Sequence, residues 1–366
     1  MKKMKNICLT FAVSIFAVSF LSPEGFSAGR EREEELLSVL RSNASIKAKM
    51  DVCRELARVG TKKAVPVLAD LLRDPKLSHM ARYALEPIKD PVVDEVLHKA
   101  LKDLKGKLLV GVIGSLGVRR YLKATSDLAE FLNSEEVEVA KAAARALGSF
   151  GTAEAADSLR AALRKARRGV RLDVYEGLLR CAEKLWKKGD IEKAKQIYDE
   201  LRKLSPLPHH VKTAALRGAI LVRGQEGVGL LEESIRSKDP TVAAAALRTS
   251  LEMQGRAVTK ALCKELTKVP LGIQILLCKA LGNRKDAAAL PALISLAKKG
   301  RAKARVEAIK ALGEIGDPKS VPVLYRLTKD WVEDVAKCAK DALIGMKGEG
   351  VDRALWELLK LSLIHI

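Results

Sequence analysis

Val306–Asp330, VEAIKALGEIGDPKSVPVLYRLTKD, contains a complete helical hairpin. Val306, Ala308, Ile309, Leu312 and Ile315 recur at spacings that set one apolar stripe on a helix of about 3.6 residues per turn. Gly316 offers the backbone freedom that a helix end requires, and Asp317 stands where it can cap the next helix. Pro318 fits a first turn, in which no backbone donor is missed. Val321, Leu324 and Leu327 make the second stripe. A hairpin this small cannot bury its apolar face alone, so it must stack on others of its kind.

With Leu312 as a register mark, equivalent positions fall at Leu56, Leu85, Leu116, Leu147, Leu185, Ala219, Ser250, Leu281 and Leu343, most often 31 residues apart. The first-helix pattern fades at Leu185, Ala219 and Ser250. Twelve residues after the marks stand Leu68, Leu97, Leu128, Leu159, Ile197, Leu231, Leu262, Leu293, Leu324 and Leu355, aliphatic in all ten units. Five residues after the mark, six units carry a capping residue: Thr61, Asp90, Thr152, Asp190, Asp286 and Asp317.

The units AAARALGSFGTAEAADSLRAAL (142–163), LCKALGNRKDAAALPALISL (277–296) and EAIKALGEIGDPKSVPVLYRL (307–327) resemble HEAT repeats of the bacterial, HEAT-like type. That resemblance implies an all-α fold, a right-handed α-solenoid of about ten helical hairpins that binds partners along its surface. It implies no single activity, because fold does not fix function. Leu172–Pro206 is longer than its neighbours and resembles a tetratricopeptide repeat, with Leu178, Ala182, Leu185, Gly189, Ala194, Tyr198 and Pro206 near that family's pattern positions. The expected organisation is therefore a HEAT-like block at 29–168 opened by an acidic capping helix from Glu31 to Leu40. A tetratricopeptide-like hairpin at 169–208 then changes the curvature, and a second HEAT-like block follows at 209–360.

Both ends of the chain read differently. Residues 1–28 have a basic start at Lys2, Lys3 and Lys5, an apolar run from Ile7 to Leu21, a break at Pro23 and small residues up to Ala28. They read as a signal peptide cut near Ser27 or Ala28, which predicts a secreted or periplasmic protein; an uncleaved anchor is the alternative. Cys8 lacks the small-residue context of a lipoprotein site. At the other end Leu361–Ile366, LSLIHI, is the in-frame translation of a common transposase sequencing adaptor. This reads as an adaptor-derived scar, with the natural chain expected to continue past Lys360.

Composition narrows the partner. The net charge is +21, and removing residues 1–27 leaves +19, so the repeats themselves are basic and favour anionic surfaces. Aromatics make up only 4% of the chain, leaving little for base stacking. Cys53, Cys181, Cys263, Cys278 and Cys338 fit no metal or c-type haem spacing. Cys53 and Cys278 lie three residues before a mark, as small core hydrophobes; one disulfide between Cys263 and Cys278 stays open. The five histidines lack metal-ligand spacing, and His209-His210 reads as a loop pair. Gly111–Gly114 lies in a helix pattern without the strand of a phosphate loop. No catalytic residue, cofactor or metal is indicated.

Two surface patterns remain. Seventeen residues after the mark stand Arg73, Lys102, Arg164, Arg202, Arg236, Lys298, Lys329 and Lys360, with Asn133 and Thr267 completing the ten. Stacking would align them as a basic edge, extended by RKARRGVR (164–171) and KKGRAKAR (298–305). Helix C-termini alone also favour cations there, by roughly 0.3–1 kcal/mol each. Thirteen residues after the last three marks come Ile294, Tyr325 and Trp356, either an apolar partner ridge on the second helices or packing between them.

The expected function is a non-catalytic protein-interaction scaffold of the cell envelope. One alternative is the docking module of a larger secreted enzyme; another is polyanion binding through the basic edge. A protein partner leads, an anionic polymer or membrane surface also fits, and the leader and scarce aromatics disfavour nucleic acid.

Overall fold

A computed structural model describes the backbone of residues 23–364 and the side chains of residues 31–360. The leader segment up to residue 22 and the last two residues lie outside the described residues. The described part carries 21 α-helices, a first helix followed by ten sequential pairs, and no strand. Two compact units divide at Arg119/Arg120.

In the first unit α1 (Pro23–Arg41) covers the pair α2 (Ile46–Val59) and α3 (Val65–Asp70); α4 (Ser78–Leu85), α5 (Pro91–Asp103) and α6 (Gly106–Arg119) follow. α1 begins eight residues before the expected Glu31, with Pro23 at its start, where a missing backbone donor costs nothing. Leu36, Leu37 and Leu40 are buried, and Glu33 turns its carboxylate onto the backbone and side chain of Thr61 (2.6 and 2.9 Å). The acidic helix thereby covers the open face of the first hairpin. Each first helix packs on the next, α2 on α4 and α4 on α6.

The second unit opens with α7 (Thr125–Phe131), α8 (Val137–Phe150) and α9 (Ala153–Leu163). Next come α10 (Arg171–Lys187), α11 (Ile191–Lys203), α12 (His209–Leu221), α13 (Gly227–Ile235), α14 (Pro240–Ser250) and α15 (Arg256–Glu265). The series ends with α16 (Leu271–Arg284), α17 (Leu290–Lys299), α18 (Ala302–Ile315), α19 (Val321–Leu327), α20 (Glu333–Gly345) and α21 (Glu349–Ile364). First helices again stack in order, from α8 through α10, α12, α14, α16 and α18 to α20.

The register holds throughout. Leu56, Leu85, Leu116, Leu147, Leu281 and Leu312 are inaccessible to water, and so are Ala219 and Ser250, where the pattern had faded. Small residues suffice there because neighbouring helices supply the rest of the apolar wall. Leu343 and Leu355 are only half-buried, as no following hairpin covers them among the described residues. All six expected caps form: Thr61, Asp90, Thr152, Asp190, Asp286 and Asp317 each accept a backbone N–H of the following turn. Gly316 ends α18 in the left-handed region at φ 69°, as Gly151 does for α8 at 62°. Lys285 holds the equivalent conformation at φ 49° without the glycine that normally tolerates it.

Two features were not legible as pattern. Arg119 reaches back from α6 to the preceding turn, donating to the carbonyls of Glu86 (2.7 Å), Ile88 (2.6 Å) and Asp90 (3.3 Å) and to the Asp94 carboxylate (3.1 Å). Arg284 does the same from α16 to the carbonyls of Ser250, Met253 and Gly255. Each guanidinium ties several carbonyls together where one hairpin hands over to the next. The second feature is a backbone contact between α8 and α10. A Cβ at Gly148 would lie 2.7 Å from the Gly177 Cα, and one at Gly177 would lie 2.9 Å from the Ala144 carbonyl oxygen.

Alanine exceeds glycine in helix propensity by about 1 kcal/mol, whereas overpacking a fixed contact costs about 1–3 kcal/mol. Gly148→Ala should therefore lower the denaturation midpoint, and Gly114→Ala, whose Cβ meets nothing within 4 Å, should raise it. Chemical denaturation of both variants checks the pair; a rise in both would contradict the Gly148–Gly177 contact.

Candidate partner-binding surfaces

The apolar positions do not form one uniform ridge. Ile294 on α17 is half-buried and packs against the core cluster. Tyr325 on α19 is half-buried, with the Lys329 ammonium 5.6 Å from its ring centroid. Trp356 on α21 is 65% exposed. More exposed still are two side chains that the register did not single out, Trp331 (91%) in the turn after α19 and Ile344 (81%) near the end of α20. Neither sits on a repeated stripe, and a stripe was the only signal read.

The basic edge is interleaved with carboxylates. Arg73 pairs with Asp103 at 2.7 Å, Arg202 with Asp199 at 2.9 Å, and Lys360 with Glu357 at 3.3 Å. Arg236 lies 3.1 Å from Glu265, whose side chain is fully buried and which also meets Lys268 at 3.2 Å. Lys102, Arg164 and Lys298 are exposed and have no carboxylate within ion-pair distance among the described residues. Exposed pairs contribute about 0–1 kcal/mol each, so they hold little of the fold, but they do cancel local potential. Arg164 also belongs to a group of four such cations, with Lys165, Arg171 and Lys203.

They gather around a cavity of about 940 Å³ at the elongated hairpin, lined by α9, α10, α11 and the segments that follow α9 and α11. While the glycine contact draws α10 against α8, α9 and α11 are linked by long side chains: Arg160 to Glu200 (2.7 Å) and Lys193 to Asp157 (3.4 Å). Tyr175, Leu178, Ile197 and Leu201 form its buried lining, and Arg164, Lys165, Arg171 and Lys203 are exposed around it. The basic run 164–171 signalled half of this site in the sequence. Leu178 and Ile197 of its apolar half fell on repeat positions, but the cavity they line depends on the separation of two helices and was not signalled by them.

A second groove, about 710 Å³, lies along α18 and α20, where Glu307, Glu314, Asp334 and Asp341 alternate with Lys303, Lys310 and Lys337. Its charges are mixed, and Lys310 is already paired with Glu307 at 2.8 Å.

Among the described residues no group of three or more His, Cys, Asp or Glu side chains is placed to hold a metal ion. No described helix is long and apolar enough to cross a membrane. His209 and His210 are exposed at the start of α12, with His210 3.8 Å from Glu176. Gly111, part of the glycine pair tested against a phosphate loop, lies under the Arg82 guanidinium, 2.5 Å from where its Cβ would stand. The five described cysteines are free thiols. Burial pushes Cys53 and Cys263 up to about 11 and Cys181 and Cys278 up to about 12.

The comparisons agree with this architecture. The family profile of HEAT repeats matches residues 93–178 and 259–344, two segments that flank the stretch where the first-helix pattern fades. No curated protein matches the chain. Among solved structures, one describing Kap95p binding to RanGDP aligns at 13% identity and a TM-score of 0.52, over 88% of this chain and 51% of that one. Karyopherin Kap121p bound to Pho4p aligns at 14% identity and a TM-score of 0.52, over 90% of this chain and 43% of that one. The chain thus spans about half or less of the karyopherin chains it matches, and at such identity the likeness is one of fold alone. The fold is that of an α-solenoid, in which residues 93–178 and 259–344 match HEAT repeats.

A thiol raised to about 11–12 is almost wholly protonated at neutral pH, and the thiolate is the reactive form. Iodoacetamide should therefore leave Cys53, Cys181 and Cys278 unmodified in the folded protein and alkylate them in denaturant. Rapid labelling of any of the three under native conditions would show that the first-helix stripe is not closed.

Proposed function

We propose that this chain is a non-catalytic protein-interaction scaffold, exported to the cell envelope, that holds a partner on the exposed apolar side chains of α19 to α21. The observation that carries the reading is the exposure of Ile344 on α20, Trp356 on α21 and Trp331 in the turn between α19 and α20. Large apolar side chains held on rigid elements bind with little ordering cost, and aromatic anchors dominate protein interfaces. Tyr325 extends the patch with a half-buried ring. Support by likeness comes from Kap121p, a solenoid of similar fold solved bound to Pho4p and to the extreme C-terminus of Cdc14p. Export rests on the basic and apolar composition of residues 1–28.

Replacing Tyr325 and Trp356 by Ala should leave the helical circular dichroism unchanged and reduce cross-linking of the full chain to envelope proteins by about tenfold, the loss expected when a hot spot is removed. Equal cross-linking by the double variant would sink the patch. Export has its own check. A fusion of residues 1–40 to a reporter active only outside the cytoplasm should be active, and silence would overturn the localisation.

A further inference from the structure

We infer that the cavity between α9, α10 and α11 is a binding site for an acidic peptide segment that carries an apolar side chain. The inference rests on the reading of the chain as an interaction scaffold and assigns it a second contact, separate from the Tyr325 and Trp356 patch.

Charge complementarity identifies the occupant. The carboxylates that line the cavity, Asp157 and Glu200, are both engaged by Arg160. Arg164, Lys165, Arg171 and Lys203 remain, all exposed and all without a carboxylate within ion-pair distance among the described residues. Arg171 Nε donates to the Ala166 carbonyl at 3.1 Å, which folds the connecting segment back beside the cavity and keeps its cations there. Four uncompensated cations around one concavity attract a chain of carboxylates and speed its arrival.

The lining determines what else the occupant must have. Its accessible apolar part is Leu204, 38% exposed, with the half-buried Leu163 and the exposed Ala161 and Pro206, and behind these Tyr175, Leu178, Ile197 and Leu201 form a buried apolar floor. An apolar side chain seated there would lose its contact with water, which favours binding. A nucleic acid would use the cations but not the apolar lining, since base stacking needs an exposed ring face and Tyr175 is buried. An acidic peptide with an aliphatic or aromatic anchor uses both.

The test is fluorescence anisotropy of the full chain with a labelled polyglutamate peptide bearing a central leucine pair. Lys165→Glu combined with Lys203→Glu should weaken binding by about tenfold or more, with the helical signal intact. The charge-matched control, Lys298→Glu with Lys329→Glu, should weaken it far less. Replacing the leucine pair by serines should also cost about tenfold. Equal loss in the control, or indifference to the leucines, reduces the effect to net charge and overturns the site. A thymidine oligonucleotide that binds more tightly than the peptide and is lost in the same cavity variant overturns it in favour of nucleic acid. Tyr325→Ala with Trp356→Ala separates the two readings: failure of peptide binding while patch-dependent cross-linking persists removes the cavity alone, and peptide binding that survives loss of the patch leaves the cavity standing.

Discussion

One constraint governs this molecule: each hairpin has two apolar stripes and can dry them only against its neighbours. Leu312 is wholly buried because α16 and α20 lie on either side of α18, and the same holds for Leu281 between α14 and α18. At roughly 1.5–3 kcal/mol for each leucine-sized side chain, these contacts outweigh the weak propensities of helices as short as the seven residues of α19. Stability is then a sum over interfaces, and it is lowest where an interface is missing. Leu343 on α20 and Leu355 on α21 are half-buried, and the most exposed apolar side chains of the second unit stand on or beside the same two helices.

What was legible in the sequence follows from the range over which each interaction acts. Asp317 caps the turn two residues on, and Gly316 ends the helix that it terminates; such devices repeat with the register and can be read from one unit. Ala219 and Ser250 lost the stripe as pattern but kept it in space, because a neighbouring repeat supplies the missing volume. Arg119 and Arg284 were invisible for the opposite reason. Each satisfies carbonyls about thirty residues upstream, so nothing local distinguishes it from a surface cation. For the basic edge, spacing located the cations but not their partners: Asp103, Asp199 and Glu265 lie outside that register and pair with Arg73, Arg202 and Arg236 in the fold.

The elongated hairpin shows how two side-chain-free contacts shape a surface far from themselves. With no Cβ at Gly148 or Gly177, α10 meets α8 backbone to backbone. Tyr198 of α11 in turn lies on Gly218 of α12, where an added Cβ would fall 2.2 Å from the ring. Contacts of this kind fix α10 and α11 from both sides, while α9 and α11 are joined through Arg160–Glu200 and Lys193–Asp157. The cavity is the space left by that arrangement and is therefore set by rigid packing rather than by a mobile loop.

Rigidity and charge then divide the work of recognition. A strongly basic chain attracts many anions, and attraction alone would not choose among them. Paired carboxylates remove that attraction at Arg73, Arg202, Arg236 and Lys360, whereas at the cavity four unpaired cations stand beside the accessible apolar lining of Leu163, Leu204 and Pro206. The charged rim sets how fast an acidic segment arrives, whereas the lining sets how long it stays, since displacing a seated apolar group re-exposes it to water. Because glycine contacts and ion pairs hold α9, α10 and α11 before anything binds, the ordering cost falls on the occupant and on the exposed Arg and Lys side chains of the rim. Discrimination then lies in a joint requirement for negative charge and an apolar side chain, which neither a mineral anion nor a neutral peptide meets.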